Sequence, residues 1–212
     1  MRRQGIDLRV LVSLLALVLI AGGVALATTG GSSGSAKERN PQFDAAGVLK
    51  PARLAPPIKL RNYLGQPVDI TAYRGKAVLV TFLYTHCPDV CPLITSDLRV
   101  ALSLMGPKAA SRVQIIAVSA DPEGDTVKAV AAFLARHGMT GRMQYLIGSA
   151  RELAPVWHAW GVGSERDARQ PQFVNHTGIV YGVTGSGKRL TLYAPTFTPG
   201  EIAHDVPLLA AQ

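Results

Sequence analysis

The two cysteines of the 212-residue chain carry its clearest chemical signal. Cys87 and Cys91 lie in the segment THCPDVCP, residues 85–92. A spacing of four residues brings both side chains to one face of a helical turn, where they could chelate one metal ion or form a disulfide. The three intervening residues include a proline and differ from the two-residue spacer of thioredoxin-type redox motifs, which favours metal binding.

The surrounding elements are predicted to place this pair between a strand and a helix. Residues 77–84 form a near-continuous run of apolar and β-favouring residues, as in a strand that is buried on both faces. Pro92 suits a first helical turn, and Gly106 with Pro107 predicts where that helix stops. Free N–H groups at a helix start favour thiolate over thiol, so Cys91 is predicted at a position suited to a metal ligand or a nucleophile.

The N-terminal residues predict export of the chain. Arg2, Arg3 and Arg9 precede an apolar run over residues 10–27. This length is at the low end for a membrane span and at the high end for a signal-peptide core. With the arginines in the cytoplasm, we expect residues 1–30 to act as a cytoplasmic-membrane anchor or a cleaved signal, with the remainder in the periplasm.

The rest of the chain divides by composition into a spacer and a domain. Residues 31–57 are rich in Gly, Ser, Ala and Pro and predict a flexible linker. Strand and helix patterns then alternate over residues 58–212, beginning with a short hairpin, and the last helix is predicted to end at Pro207. This alternation predicts an α/β domain with a central sheet, helices on both faces and a C-terminal β-hairpin.

Charge and glycine patterns exclude two binding functions. The formal net charge is +8, but no cluster of Lys and Arg with interleaved aromatic residues accompanies it, so we expect no nucleic-acid partner. The segment GVTGSGK, residues 182–188, is similar to a phosphate-binding loop. Arg189 stands where a hydroxyl should hold magnesium, and β-favouring residues follow where a helix is needed. We therefore predict a hairpin turn and no nucleotide binding.

A structural disulfide is the simplest alternative for two cysteines of an exported protein. A bond between Cys87 and Cys91 closes few residues, so it would add less stability than a long-range bridge. A function in metal binding or thiol chemistry is favoured.

Two thiolates make an incomplete transition-metal site, and the five histidines are the candidates for a third ligand. His137 ends a helix pattern, where the dipole favours imidazolium. His158 and His204 fall in helical stretches away from other ligand types. His86 adjoins the first cysteine, but adjacent side chains usually point apart. His176 follows a polar loop in a β-rich segment, and the residues alone leave the third ligand open.

Together these motifs resemble the Sco/SenC family. The matching stretches are Gly75-Lys76, FLYTHCPDVCP at 82–92, VSADPEGDT at 118–126 and VNHT at 174–177. The resemblance implies a thioredoxin-like fold. It also implies a membrane-anchored or exported copper protein that helps to assemble the dinuclear copper centre of cytochrome c oxidase.

The resemblance assigns Cys87, Cys91 and His176 as copper ligands. Soft thiolates favour Cu(I), and imidazole also serves Cu(II). A Cys₂His set without an evident fourth protein ligand is poorly suited to structural zinc, which prefers four ligands.

Other residues of the resemblance are expected to shape the site without binding metal. Pro88, Asp89 and Asp121 fall on characteristic family positions. Asn175 departs from the family pattern, which usually has Asp before the histidine, so the charge beside the ligand differs.

We therefore expect a copper metallochaperone, with no catalytic residue, that binds one copper ion and delivers it to the copper-receiving subunit of the oxidase. The alternative is a thiol-disulfide oxidoreductase that uses Cys87 and Cys91 as a redox disulfide to keep the oxidase's copper-site cysteines reduced. A peroxidase-like enzyme is a third class, but the Arg and Thr pattern that activates a peroxidatic cysteine is not evident.

Overall fold

The computed structural model describes residues 42–166 and 174–212. The predictions for an anchor or signal at residues 1–30, and for residues 31–41 of the linker, lie outside the described residues. Within the described residues, no helix combines the length and the apolar character needed to cross a bilayer.

The described residues form ten strands, four α-helices and one 3-10 helix. The strands are β1 Gly47–Leu54, β2 Lys59–Asn62, β3 Pro67–Asp69, β4 Ala77–Leu83, β5 Val113–Ser119, β6 Met143–Ile147, β7 Ser164–Arg166, β8 Val174–His176, β9 Val180–Val183 and β10 Lys188–Tyr193. The α-helices are α1 Val90–Ala110, α2 Val127–Arg136, α3 Ala150–Trp160 and α4 Pro199–Ala210, and the 3-10 helix is Ile70–Tyr73.

Eight of the strands form one mixed sheet in the order β1-β10-β9-β4-β5-β6-β2-β3. Strands β4, β5 and β6 are parallel, whereas β9, β10 and β1 add antiparallel on one side and β2 and β3 on the other. Every residue of β4 is buried, as its apolar run predicts. Among the described strands, β7 and β8 pair only with each other, in a separate two-stranded ribbon.

Helices cover both faces of the sheet, as predicted. One hydrophobic cluster contains buried side chains of α1, α2 and α4, among them Leu98, Phe133 and Val206. The cluster on the other face contains residues of α3 and the 3-10 helix, including Trp160 and Ile70. The α/β architecture and the closing β9–β10 hairpin are confirmed.

Local signals in the sequence account for the element boundaries. The capping boxes Ser149/Glu152 and Thr198/Glu201 begin α3 and α4. Gly106 interrupts α1 with φ 68° and ψ 171°, at the predicted stop, and a further turn continues to Ala110. The segment 182–188 turns from β9 into β10, where the Gly187 N–H donates to the Thr184 carbonyl.

Two boundaries differ from the sequence prediction. The predicted linker, residues 31–57, is wrong from residue 43, because Phe43 and Ala45 are buried and β1 pairs with β10. No residue of β1 is fully buried, and its sequence shows no alternation of apolar and polar residues by which a strand could be identified. The strand forms because it pairs with β10, about 140 positions further along the chain. Pro207 lies inside α4 rather than at its end.

Candidate metal centre

The two cysteines lie where strand β4 gives way to helix α1. Cys87 is in the connecting loop with 8% of its surface exposed, and Cys91, the second residue of α1, is fully buried. Both are free thiols. The Cys91 backbone N–H donates to the Cys87 sulfur at 3.4 Å, so the helix start directs its unpaired N–H groups toward that sulfur.

The imidazole of His176 completes this arrangement from β8. Its Nε2 lies 3.6 Å from the Cys91 sulfur, and its ring meets the Tyr84 ring edge-on, with centroids 5.5 Å apart. Among the described residues, its buried Nδ1 has no hydrogen-bond partner. Burial lowers the pKa of His176, which favours the neutral imidazole that metals bind.

The two thiols are electrostatically unequal. The Cys91 thiol donates to Cys87 and, together with the backbone N–H groups of Cys91 and Asp89, lowers the pKa of Cys87 to about 6 against the effect of burial. The same hydrogen bond, with burial, raises the pKa of Cys91 far above its usual range. Without metal, the pair therefore holds one thiolate and one thiol near neutral pH, and a metal ion would displace the second proton.

A buried carboxylate that the sequence interpretation missed supports the loop. Asp125 accepts hydrogen bonds from the Thr85 N–H at 2.7 Å, the Ser119 hydroxyl at 2.6 Å and the Tyr145 hydroxyl at 2.9 Å. Burial raises the pKa of Asp125. The next residue, Thr126, caps α2.

The residues expected to shape the site lie in two places. Pro88 and Asp89 are exposed between the cysteines, and Asp89 contributes its backbone N–H to the Cys87 sulfur. Asp121 is buried in the loop after β5, where its carboxylate accepts the Gly124 N–H at 3.0 Å. It therefore supports a neighbouring loop.

The structure brings His176 to the cysteines and leaves the other histidines elsewhere. His86 is exposed, with Nδ1 3.3 Å from the Thr85 hydroxyl. His137 packs on Phe133 at the end of α2, and His158 is exposed on α3. The expectation that His204 lies away from other ligand types is wrong, because Asp44 and Asp205 adjoin it.

Two sulfurs and one imidazole form a soft donor set that fits copper better than a hard cation. The short distance from Cys91 to His176 and the neutral imidazole are consistent with that fit. The low pKa of Cys87 also makes it a competent nucleophile toward a disulfide. The same atoms can therefore support metal binding or thiol exchange.

Known proteins are similar to this chain over the region that contains Cys87, Cys91 and His176. Residues 47–211 match the family model SCO1/SenC. The mitochondrial protein SCO2 homolog of Bos taurus is 29% identical over 175 residues, which are 80% of this chain and 65% of that protein. The chain spans less than two thirds of the length of the curated relatives it matches.

Solved structures of Sco proteins share the fold. Copper-bound ScoI of Bradyrhizobium japonicum has 29% identity and a TM-score of 0.65, covering 74% of this chain and 99% of that one. Apo Sco1 of Thermus thermophilus has 28% identity and a TM-score of 0.69, covering 79% of this chain and 96% of that one. The predicted thioredoxin-like fold is confirmed, and the chain belongs to the SCO1/SenC family.

Proposed function

We propose that this protein is a copper metallochaperone that binds one copper ion through Cys87, Cys91 and His176. The observation that carries the proposal is the 3.6 Å approach of the His176 Nε2 to the Cys91 sulfur, beside the second cysteine. The two cysteines are four positions apart, but the imidazole comes from 85 residues further along the chain. A disulfide exchange site does not need this third donor, whereas an imidazole beside two thiolates suits a site that can hold copper as Cu(II) as well as Cu(I).

The donor set also suits a cargo that must leave again. Three protein ligands leave copper coordinatively unsaturated, so an acceptor's ligand can join before a donor ligand departs. Cys87 is the more exposed of the two sulfur ligands, with 8% of its surface accessible against none for Cys91. Exchange is therefore expected to begin on the Cys87 side of the ion.

The acceptor that fits this cargo is the copper-receiving subunit of cytochrome c oxidase. The copper-bound ScoI relative supports copper as the ion, and the family resemblance supplies the oxidase as the destination. Delivery would take place in the periplasm, with residues 1–30 as the anchor in the cytoplasmic membrane or as a cleaved signal. An alkaline phosphatase fusion after residue 60 should be active, and an inactive fusion would reverse this topology.

A thiol-disulfide oxidoreductase is the second candidate, and the unequal thiols favour it. The Cys91 hydrogen bond and the backbone N–H groups lower the pKa of Cys87 to about 6, whereas Cys91 stays protonated and buried. A thiolate next to a protonated partner can attack a disulfide and then be resolved by that partner. This activity would keep the oxidase's own copper-site cysteines reduced.

Substitution of the imidazole separates the two functions. We expect His176→Ala to abolish stable Cu(II) binding, read by absorbance and mass, while Cys87 and Cys91 still form and reduce a disulfide. A chaperone requires this variant to lose oxidase assembly nearly as completely as Cys87→Ser. His158→Ala, at an exposed histidine, is the matched control and should behave as wild type. Full assembly with His176→Ala would refute copper delivery and favour the oxidoreductase.

A further inference from the structure

The ribbon of β7 and β8 carries His176 but lies outside the main sheet. No described strand of the main sheet pairs with it, so no strand ladder sets the distance between the ribbon and the cysteines. Cys87 and Cys91 belong to the loop after β4 and to the start of α1, next to the main sheet. The position of the imidazole relative to the two sulfurs therefore has to be set by other contacts.

A hydrogen bond from Ser164 joins the ribbon to the main domain. Ser164 is the first residue of β7, and its hydroxyl donates to the Ala120 carbonyl at 2.6 Å. Ala120 directly follows β5 and is 1% exposed. The Ala120 N–H donates at 2.8 Å to the carbonyl of Leu83, the last residue of β4. One buried residue thus contacts both the ribbon and the strand that leads to Cys87.

Ser164 and His176 are directly opposite each other in the ribbon. Side chains of directly opposite residues in an antiparallel pair lie on the same face, with Cβ atoms about 5 Å apart. The hydroxyl that contacts Ala120 and the imidazole that contacts the Cys91 sulfur therefore leave the ribbon on one face and at one end. The other end is held by packing, because Val174 is 6% exposed within the hydrophobic cluster of α1, α2 and α4.

We propose that Ser164 is a positioning residue for His176, because its hydroxyl fixes the ribbon at the distance from Cys91 at which the imidazole and the sulfurs can hold one ion. The apolar packing of Val174 is not directional, whereas a hydrogen bond sets both a distance and an angle. The role toward copper rests on the proposed function, whereas the position of the imidazole in the metal-free chain does not.

Ser164→Val and Ser164→Thr form a matched pair of variants. Both new side chains are β-branched and suit a strand, but only threonine keeps the hydroxyl. The first readout is the nuclear Overhauser effect between the rings of His176 and Tyr84, whose centroids are 5.5 Å apart, in the metal-free full chain. We expect Ser164→Val to lose this signal and Ser164→Thr to keep it. Ser111→Ala removes a hydroxyl that donates to the Lys108 carbonyl just after α1, and as the control it should keep the signal.

Copper binding supplies the second readout, because the two oxidation states use the imidazole differently. Soft thiolates favour Cu(I), whereas imidazole also serves Cu(II). We expect Ser164→Val to bind Cu(II) about fivefold more weakly than wild type, as the loss of one ordinary hydrogen bond predicts, and Cu(I) within about twofold of wild type. Ser164→Thr and Ser111→Ala should bind both ions as wild type does. A general loss of structure would weaken the binding of both ions alike.

The inference is overturned if Ser164→Val keeps the ring-to-ring signal, if Ser164→Thr loses it equally, or if the affinities for Cu(I) and Cu(II) fall together. Loss of the signal in Ser164→Val alone, when the wild-type chain binds no copper, would support the positioning role and refute the proposed function. Copper binding by wild type, together with an unchanged signal in Ser164→Val, would refute the inference and leave the proposed function standing.

Discussion

Asp125 and Asp205 are two buried carboxylates that form hydrogen bonds with distant parts of the chain. Asp125 lies close to the cysteines, whereas Asp205 does not. Asp125, just before α2, accepts the Thr85 N–H and the hydroxyls of Ser119 and Tyr145. Thr85 stands two residues before Cys87, so this carboxylate holds the loop from which the first sulfur projects. The carboxylate thus connects β5, α2 and the Cys87 loop.

Asp205, in α4, uses the same chemistry on a different segment. It accepts the backbone N–H groups of Asp44 and Ala45 at 2.9 and 3.0 Å and the Tyr193 hydroxyl at 3.0 Å. The Nδ1 of His204 lies 2.7 Å from its Oδ1, the oxygen that also accepts the Asp44 N–H. This carboxylate holds the residues that lead into β1, far along the chain from both cysteines.

The comparison shows that the role of a buried carboxylate depends on the segment with which it forms hydrogen bonds. Each carboxylate accepts hydrogen bonds from backbone and tyrosine donors that would otherwise have no partner. A buried donor without a partner lowers the stability of a protein by about 1–3 kcal/mol. Their effects on stability should therefore be alike. Their effects on the cysteines should differ.

The largest expected effect comes from removing either carboxylate. Asp125→Ala and Asp205→Ala should each lower the free energy of unfolding by about 3 kcal/mol or more, since each leaves two buried donors and one part-buried donor without a partner. Only Asp125→Ala should also free the Cys87 loop and weaken copper binding at temperatures where the variant is folded. Denaturant unfolding and a copper titration measure the two effects.

Equal weakening of copper binding in both variants would contradict the comparison, because it would mean that the site senses global stability. Asp205→Ala is therefore the control for Asp125→Ala, because both carboxylates are buried and both lose a backbone N–H donor and a tyrosine hydroxyl. Wild-type copper affinity in the Asp125→Ala variant would show that the Cys87 loop keeps its shape without the contact between Asp125 and the Thr85 N–H.

The phenol donors offer a smaller version of the same test. Tyr145→Phe and Tyr193→Phe each remove one hydroxyl from a buried carboxylate and should cost about 2 kcal/mol, the usual range for a hydrogen bond to a charged group. We expect only Tyr145→Phe to alter the rate at which Cys87 is alkylated. A matching change in Tyr193→Phe would show that the two networks are coupled through the shared core.

Much of the fold could be predicted from short-range patterns. The buried run of β4 and the glycine stop at Gly106 both act within a few residues, and each lies where it was expected. The spacing of Cys87 and Cys91 indicated a metal or redox pair, but only the family resemblance selected His176 among the five histidines.

The features that sequence could not predict depend on distant partners. Strand β1 is exposed along much of its length and pairs with β10, so its own residues carry no alternation. Asp205 holds Asp44 across 161 positions, and neither residue is unusual in its local sequence. Asp125 sits at a helix start, where a capping role is the local expectation, and its burial is visible only when β5 and the Cys87 loop are assembled.

Gly124 tests how much room the loop near Asp125 has. A Cβ atom there would lie 2.2 Å from the Asp121 carboxylate oxygen Oδ2 and 3.1 Å from the His86 Nδ1, so one side chain must move. Gly124→Ala should cost about 1–2 kcal/mol, as overpacking does. Gly163→Ala, where a Cβ atom meets nothing within 4 Å, is the control and should be near neutral. Equal unfolding midpoints for the two variants would show that the loop yields freely.

The smallest expected effect is a pH dependence of the free energy of unfolding, and of the two carboxylates it involves only Asp205. The hydrogen bond to Asp205, with the nearby Asp44 carboxylate, raises the pKa of His204 above its usual 6.5. The folded state therefore holds this proton more tightly than the unfolded chain does. The stabilisation is fully present below about pH 6.5 and is lost as pH rises through the higher folded pKa.

The difference in the free energy of unfolding between wild type and His204→Gln, measured at each pH, isolates this contribution, because the contributions of the other histidines are the same in both proteins. That matters since burial lowers the pKa of His137 and His176, which gives the opposite sign. The advantage of wild type should be less than about 1 kcal/mol, because His204 is half exposed, and it should shrink as the pH rises above about 6.5. An advantage that grew with pH would mean that neutral His204 is the form that Asp205 prefers.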